Sequence, residues 1–211
     1  MLEYVLENEL LDQGYTCVCG VDEAGRGPLC GPVVAAACIL PIGLVLDGLN
    51  DSKKLTEKKR DELFDLIKEN AIAYSIASSS VEEINETNIL DATLMAMRRA
   101  VEGLSVPADY LLIDGNICRG FDRPARAVVK GDATSPSIAA ASILAKVTRD
   151  RMCIDLDREY PEYGIAKHKG YGTAAHYAAL ERYGVPPIYR TKFLRSFYDR
   201  LESGGTFIKE K

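Results

Sequence analysis

CVCGVDEAGRGPLCGPVVAAACIL, residues 17–40, is the stretch on which the fold turns. CVCGVD (17–22) reads as a strand, GRGP (25–28) breaks it, and PVVAAACIL (32–40) follows as an apolar run. Both alternating sets of that run are apolar, Val33/Ala35/Ala37/Ile39 and Val34/Ala36/Cys38/Leu40. A strand with one wet face would alternate, so this one is expected inside a sheet covered on both sides.

Downstream, TEKKRDELFDLIKEN (56–70) predicts a helix capped by Thr56, with Leu63, Phe64, Leu66 and Ile67 on its apolar side. AIAYSIAS (71–78) reads as a third strand. Leu90, Leu94, Met97 and Val101 recur at helical spacing between Ile89 and Gly103. ADYLLID (108–114) and ARAVVKGD (125–132) each read as a short strand running to a carboxylate beside glycine. In ATSPSIAAASILAKVTRDRM (133–152), Ser135 can cap a long helix and Pro136 takes its first position. Its apolar face is expected along Ile138, Ala141, Ala145, Thr148 and Met152. The tail holds a shorter helix, TAAHYAALERYG (173–184), then the basic aromatic stretch YRTKFLRSFYDR (189–200), then SGGTFIKEK (203–211), expected to fray. The order of elements predicts an α/β domain, a mixed β-sheet flanked by helices over residues 1–160, with a small C-terminal helical extension at 161–211 packed on the same domain.

A chain of 211 residues with 47% hydrophobic and 27% charged residues fits one globular domain and excludes a disordered or fibrous protein. The longest apolar stretch, Pro32 to Leu40 running on to Ile42, is far short of the roughly 20 residues of a membrane-spanning helix. MLEYVLENELLDQGYT opens with acids rather than a basic segment before an apolar one, so a cytoplasmic, non-membrane protein is expected. Cys17, Cys19, Cys30, Cys38, Cys118 and Cys153 sit mostly in apolar runs without metal-site spacing and read as reduced thiols. The net charge of −5 argues against a protein that coats nucleic acid by bulk positive charge. Residues 118–151 nonetheless hold seven Lys/Arg against three acids, and 163–200 seven against two, which permits a basic face on an acidic body.

Four acids end apolar strands beside glycine: Asp22 and Glu23 in GVDEAGRG, Asp114 in LLIDGN and Asp132 in KGDATS. Singly each could cap a turn. Together, partly desolvated and mutually repelling, they ask for a cation, and hard oxygens suit Mg²⁺ or Mn²⁺. The strand period of two sends Asp22 and Glu23 to opposite faces, so a shared site requires the strand to end or bulge at GRGP. GVDEAGRG fails as a phosphate loop, because Arg26 and Gly27 replace Lys and Ser/Thr and two acids would repel phosphate. His168 and His176 lie in no nucleophile-elbow pattern.

DEAGRGPLCGPV, DSKKLTEKKR, LLIDGN, KGDATSPSIAAASILAKVTRD and HKGYGTAAH resemble, in order and spacing over about residues 16–190, the ribonuclease HII family. The resemblance implies a ribonuclease H-like fold and cleavage of RNA in RNA/DNA hybrids. It also implies incision on the 5′ side of ribonucleotides embedded in duplex DNA, as in ribonucleotide excision, leaving 3′-OH and 5′-phosphate ends. It makes Asp22, Glu23, Asp114 and Asp132 the ligands of two divalent ions, Mn²⁺ or Mg²⁺. It assigns the backbone of Gly25, Arg26 and Gly27 to the ribose 2′-OH, and Tyr171 to the sugar at the ribo-to-deoxyribo junction. Ser52, Lys53, Lys146 and Lys169 become candidates for phosphate contacts, although each lysine also reads as ordinary solvated surface. The expected partners are RNA/DNA hybrids and ribonucleotide-containing DNA duplexes, bound by a monomer. Two alternatives stand beside this one: a nuclease restricted to long hybrids, against which GRG and Tyr171 speak, and a hybrid-binding module, which would gain by shedding four repelling acids.

Overall fold

The fold is described from a computed structural model covering residues 2–50, 52 and 55–208. Five strands form one mixed sheet: β1 (Val18–Ala24), β2 (Val33–Ile39), β3 (Ala73–Ser79), β4 (Tyr110–Asp114) and β5 (Ala125–Val128), in the order β3-β2-β1-β4-β5. β1 pairs antiparallel with β2 and parallel with β4, and β4 pairs parallel with β5. The carboxyl ends of three parallel neighbours therefore share one edge, where ligand crevices of open α/β sheets form.

β2 is buried over its whole length, as its doubly apolar pattern requires. Its odd-numbered side chains join Cys19, Val21, Leu111 and Ile113 in a core covered by α4 (Ile89–Glu102). Its even-numbered side chains face α5 (Pro136–Glu159) and α2 (Glu57–Asn70) in a second core. Thr56 caps α2 by accepting from the Lys59 amide, and Ser135 caps α5 by accepting from the Ile138 amide at 3.2 Å. Gly20 is what lets α5 lie on β1: a Cβ there would stand 2.1 Å from the Ser137 carbonyl carbon.

Several expectations need correction. The apolar face assigned to α5 is too narrow, because every residue from Pro136 to Ala145 is buried. The helix runs between the sheet, α2 and α1 (Val5–Asp12), a helix that the acidic N-terminal sequence did not suggest. α1 contributes the fully buried Glu7, whose carboxylate accepts from the Ser135 hydroxyl at 2.6 Å and the Ser137 amide at 3.2 Å. A negative group thus meets the positive end of α5. α3 (Val81–Glu86) was also missed; Ser80 and Glu83 close a capping box at its start.

Beyond α5 the chain folds back through α6 (Ile165–His168), α7 (Ala174–Tyr183) and α8 (Arg195–Glu202) onto Leu29, Cys30 and Cys153. The tail is not frayed through Ile208. Glu181 accepts from the Thr206 hydroxyl at 2.5 Å and from the Phe207 amide at 2.6 Å, and the Phe207 ring stacks on Tyr177 with centroids 4.8 Å apart. No helix among the described residues is long and apolar enough to cross a membrane.

Candidate active site

The β1–β2 ladder runs in regular register through Asp22↔Ala36, Glu23↔Ala35 and Ala24↔Val34. There is no bulge, so Asp22 turns toward α5 and Glu23 toward the α4 side at the end of the strand, and the charge of Glu23 nevertheless acts on Asp22. Asp114 ends β4, one residue past the Ile113↔Val21 pair, and so flanks Asp22. Asp132 is buried on a short 3₁₀ turn after β5. That turn is tied to Asp114, whose Oδ1 accepts from the Gly131 amide at 2.7 Å.

Asp22 is the electrostatic focus. Burial first, then the charges of Glu23 and Asp114, hold its carboxyl well above the usual carboxylate range, against the opposing hydrogen bonds from Ser142 and the Glu23 amide. Its Oδ1 accepts from that amide at 2.7 Å. Arg26 leans on Glu23 at 3.3 Å while remaining half exposed. Among the described residues no group of three acidic, histidine or cysteine side chains is placed to hold a metal ion. A desolvated carboxyl raised by two neighbouring acids, in an all-oxygen donor set, is nevertheless what a hard divalent cation would relieve. The residues therefore fit Mg²⁺ or Mn²⁺.

Beside the acids opens a cleft of about 440 Å³, walled by the loop after β1, by α5 and by the α6–α7 turn. Gly25, Arg26, Gly27, Ser52, Lys146, Lys169 and Tyr171 all reach it, as does Glu23. Gly25 has φ +95°, a conformation that side chains resist. The half-exposed Tyr171 ring lies over Gly27, where a Cβ would come within 3.2 Å of it. Lys169 holds a left-handed backbone, φ +51°, immediately before the Gly170–Tyr171 turn. Lys146 is paired with the buried Asp150 at 2.7 Å, and Ser52 is buried with its hydroxyl 2.9 Å from that of Ser142. Lys53 lies outside the described residues.

Sequence reasoning missed the supports of this cleft. Arg60 lines it near Asp150 and donates to the backbone carbonyls of Ser52 and Leu55 at 3.1 and 2.6 Å. Arg149 and Arg190, both buried, donate to carbonyls of the loop between β1 and β2. His176 is buried and stacked on His168 with centroids 4.0 Å apart. Burial pulls its pKa down to about 4, and it bridges the Tyr171 carbonyl and the Tyr189 hydroxyl. In the sequence Arg60 and Arg149 stand among other charged residues and Arg190 in a basic aromatic stretch, so none is marked as a support.

Comparison with known proteins points one way. A family model described as ribonuclease HII matches residues 19–198. The ribonuclease HII of Clostridioides difficile strain 630 is 54% identical over 192 residues, 91% of this chain and 75% of that protein. The crystal structure of ribonuclease H2 from Pyrococcus horikoshii OT3 superposes with a TM-score of 0.73 at 28% identity, covering 89% of this chain and 99% of that one. Bst ribonuclease HIII in complex with Mn²⁺ shares the fold, with a TM-score of 0.67 at 20% identity over 88% of this chain and 71% of that one.

Proposed function

The chain belongs to the ribonuclease HII family, hydrolytic endoribonucleases that act on the RNA strand of RNA/DNA hybrids, and from that premise we propose that it also incises duplex DNA 5′ of single embedded ribonucleotides. In this reading Asp22, Glu23, Asp114 and Asp132 hold two divalent ions, and Bst ribonuclease HIII in complex with Mn²⁺ is a precedent on the same fold. Bound there, Mn²⁺ or Mg²⁺ supplies charge stabilisation and water activation for phosphodiester hydrolysis, leaving 3′-OH and 5′-phosphate ends.

The chain's own groups do the rest. Asp22 and Asp114 are presented from neighbouring parallel strands, so their separation is set by the sheet rather than by a loop. The backbone of Gly25, Arg26 and Gly27 reads the ribose 2′-OH, and Tyr171 packs on the junction sugar. Lys146 and Lys169 neutralise backbone phosphates, which offsets the net charge of −5 locally. The observation that carries the proposal is the cleft itself, which is lined by the acid Glu23, by Gly25, Arg26 and Gly27 of the loop that follows it, and by Tyr171, whose ring lies over Gly27.

The test is cleavage of two substrates, a continuous RNA/DNA hybrid and a DNA duplex with one ribonucleotide, with and without Mn²⁺. Metal-dependent incision of both, 5′ of the single ribonucleotide, is the expected result. Cleavage of the hybrid alone would reduce the protein to a general hybrid nuclease, and binding without cleavage to a binding module.

A further inference from the structure

Residues 186–190 cross behind the cleft, and their backbone is stitched to its loop. The Arg190 amide donates to the Leu29 carbonyl at 2.8 Å and the Gly31 amide to the Ile188 carbonyl at 2.9 Å, around a bridge pairing Cys30 with Tyr189. The Arg190 side chain is fully buried, yet among the described residues no carboxylate pairs with it. Its guanidinium instead donates to five backbone carbonyls: Gly25 at 2.7 Å, Pro28 at 2.9 Å, Arg26 and Gly31 at 3.0 Å and Pro32 at 3.1 Å. Burying a cation is costly, and here the hydrogen-bonding compensation comes from one loop, with the Phe193 ring 5.4 Å from the guanidinium carbon.

The neighbouring residue reaches the other half of the site. Tyr189, 1% exposed, donates its hydroxyl to His176 Nε2 at 2.6 Å, and His176 Nδ1 donates to the Tyr171 carbonyl at 2.9 Å. A carbonyl only accepts, so the tautomer is fixed by its partners. His176 stays neutral at physiological pH because burial holds its pKa near 4, which keeps Nε2 free to accept. A direct bond joins the two halves as well, from the Leu29 amide to the Gly170 carbonyl at 2.8 Å.

We infer that Tyr189 and Arg190 are positioning residues for substrate discrimination: one dipeptide holds the Gly25–Arg26–Gly27 backbone through Arg190 and Tyr171 through Tyr189 and His176, setting the spacing between the two groups that meet the ribose. The inference rests on the proposed reading of those groups. It gives a physical reason for a buried arginine without an acid partner, since an acid pair would neutralise charge but could not bind five carbonyls at once. A guanidinium offers five N–H donors in a rigid plane, and a lysine ammonium only three from a point.

The experiment compares Arg190→Lys, Arg190→Ala and Tyr189→Phe with the parent, reading kcat and KM separately on the single-ribonucleotide duplex and the continuous hybrid. Displacing reacting groups by about 1 Å costs on the order of a hundredfold in rate. Arg190→Lys should therefore lower kcat on the single-ribonucleotide duplex by about that factor and the hybrid less, and Tyr189→Phe should shift the same ratio more weakly. Millimolar guanidinium should restore part of the activity of Arg190→Ala. Amide hydrogen exchange should quicken at residues 25–32 in the Arg190 variants and at 170–173 in Tyr189→Phe. An unchanged substrate ratio, with both rates falling together or not at all, would make the dipeptide ordinary core packing. A parent that cuts neither substrate would instead sink the functional reading, and hydrogen exchange would still judge the clamp; uniform exchange would overturn it.

Discussion

Gly20→Ala tests how the sheet and α5 together place the catalytic edge. A methyl at Gly20 would stand 2.1 Å from the Ser137 carbonyl carbon and 2.3 Å from the Ile138 nitrogen, where ordinary contact begins at 3.4 Å. Both obstacles are backbone, so β1 and α5 must part by roughly 1 Å, and overpacking of this kind costs about 3 kcal/mol. Total stability is about 5–15 kcal/mol, so the variant folds. Its urea midpoint should fall by about 1.5 M at an m-value near 2 kcal/mol/M. Two residues along, Asp22 hydrogen-bonds Ser142 of the displaced helix, and Lys146 lies one turn further. Cleavage should accordingly fall on the order of a hundredfold in folded enzyme. Gly103→Ala is the control, because its methyl meets the movable Ser75 hydroxyl at 2.5 Å on the far side of the sheet; it should cost less stability and no activity. A Gly20→Ala variant with the parent's midpoint, or one destabilised but fully active, would refute the coupling.

Three further outcomes are expected. Because Asp22 keeps its proton more tightly in the folded chain than unfolded, its ionisation costs stability as pH rises above the normal carboxylate range; Asp22→Asn should melt above the parent at pH 7, lose that advantage in acid, lose cleavage, and no longer gain melting temperature from Mn²⁺ as the parent should. Tyr171→Ala should lose most cleavage at a single ribonucleotide and Tyr171→Phe less, with both melting near the parent because the ring is half exposed; full activity in the alanine variant would reduce it to a loop residue. Glu181→Gln should speed hydrogen exchange at the Phe207 and Ile208 amides, and since its three hydrogen bonds hold the carboxyl below its ordinary range, acid should do the same to the parent as pH falls through that lowered value.

Much of this was legible because it follows local rules. β2 announced burial on both faces, Ser135–Pro136 announced the start of α5, and Asp22, Glu23 and Asp114 stood at strand ends, whereas Asp132 lies past the end of β5 on a short turn. What stayed hidden depends on partners far away in the chain. Glu7 reads as one more acid in a polar terminus until Ser135 and Ser137, some 130 residues on, present it with donors. SGGTFIKEK has the composition of a loose end, and three donors to Glu181 override it through Ile208. Arg190 is the sharpest case: YRTKF reads only as part of a basic aromatic stretch, yet its first cation serves five carbonyls more than 150 residues upstream. Sequence exposes the groups that would touch substrate because chemistry restricts their identity. The groups that fix the distances between them are restricted only by geometry, so in this chain the reading of the acids and the glycines preceded the structure, and the reading of the arginines required it.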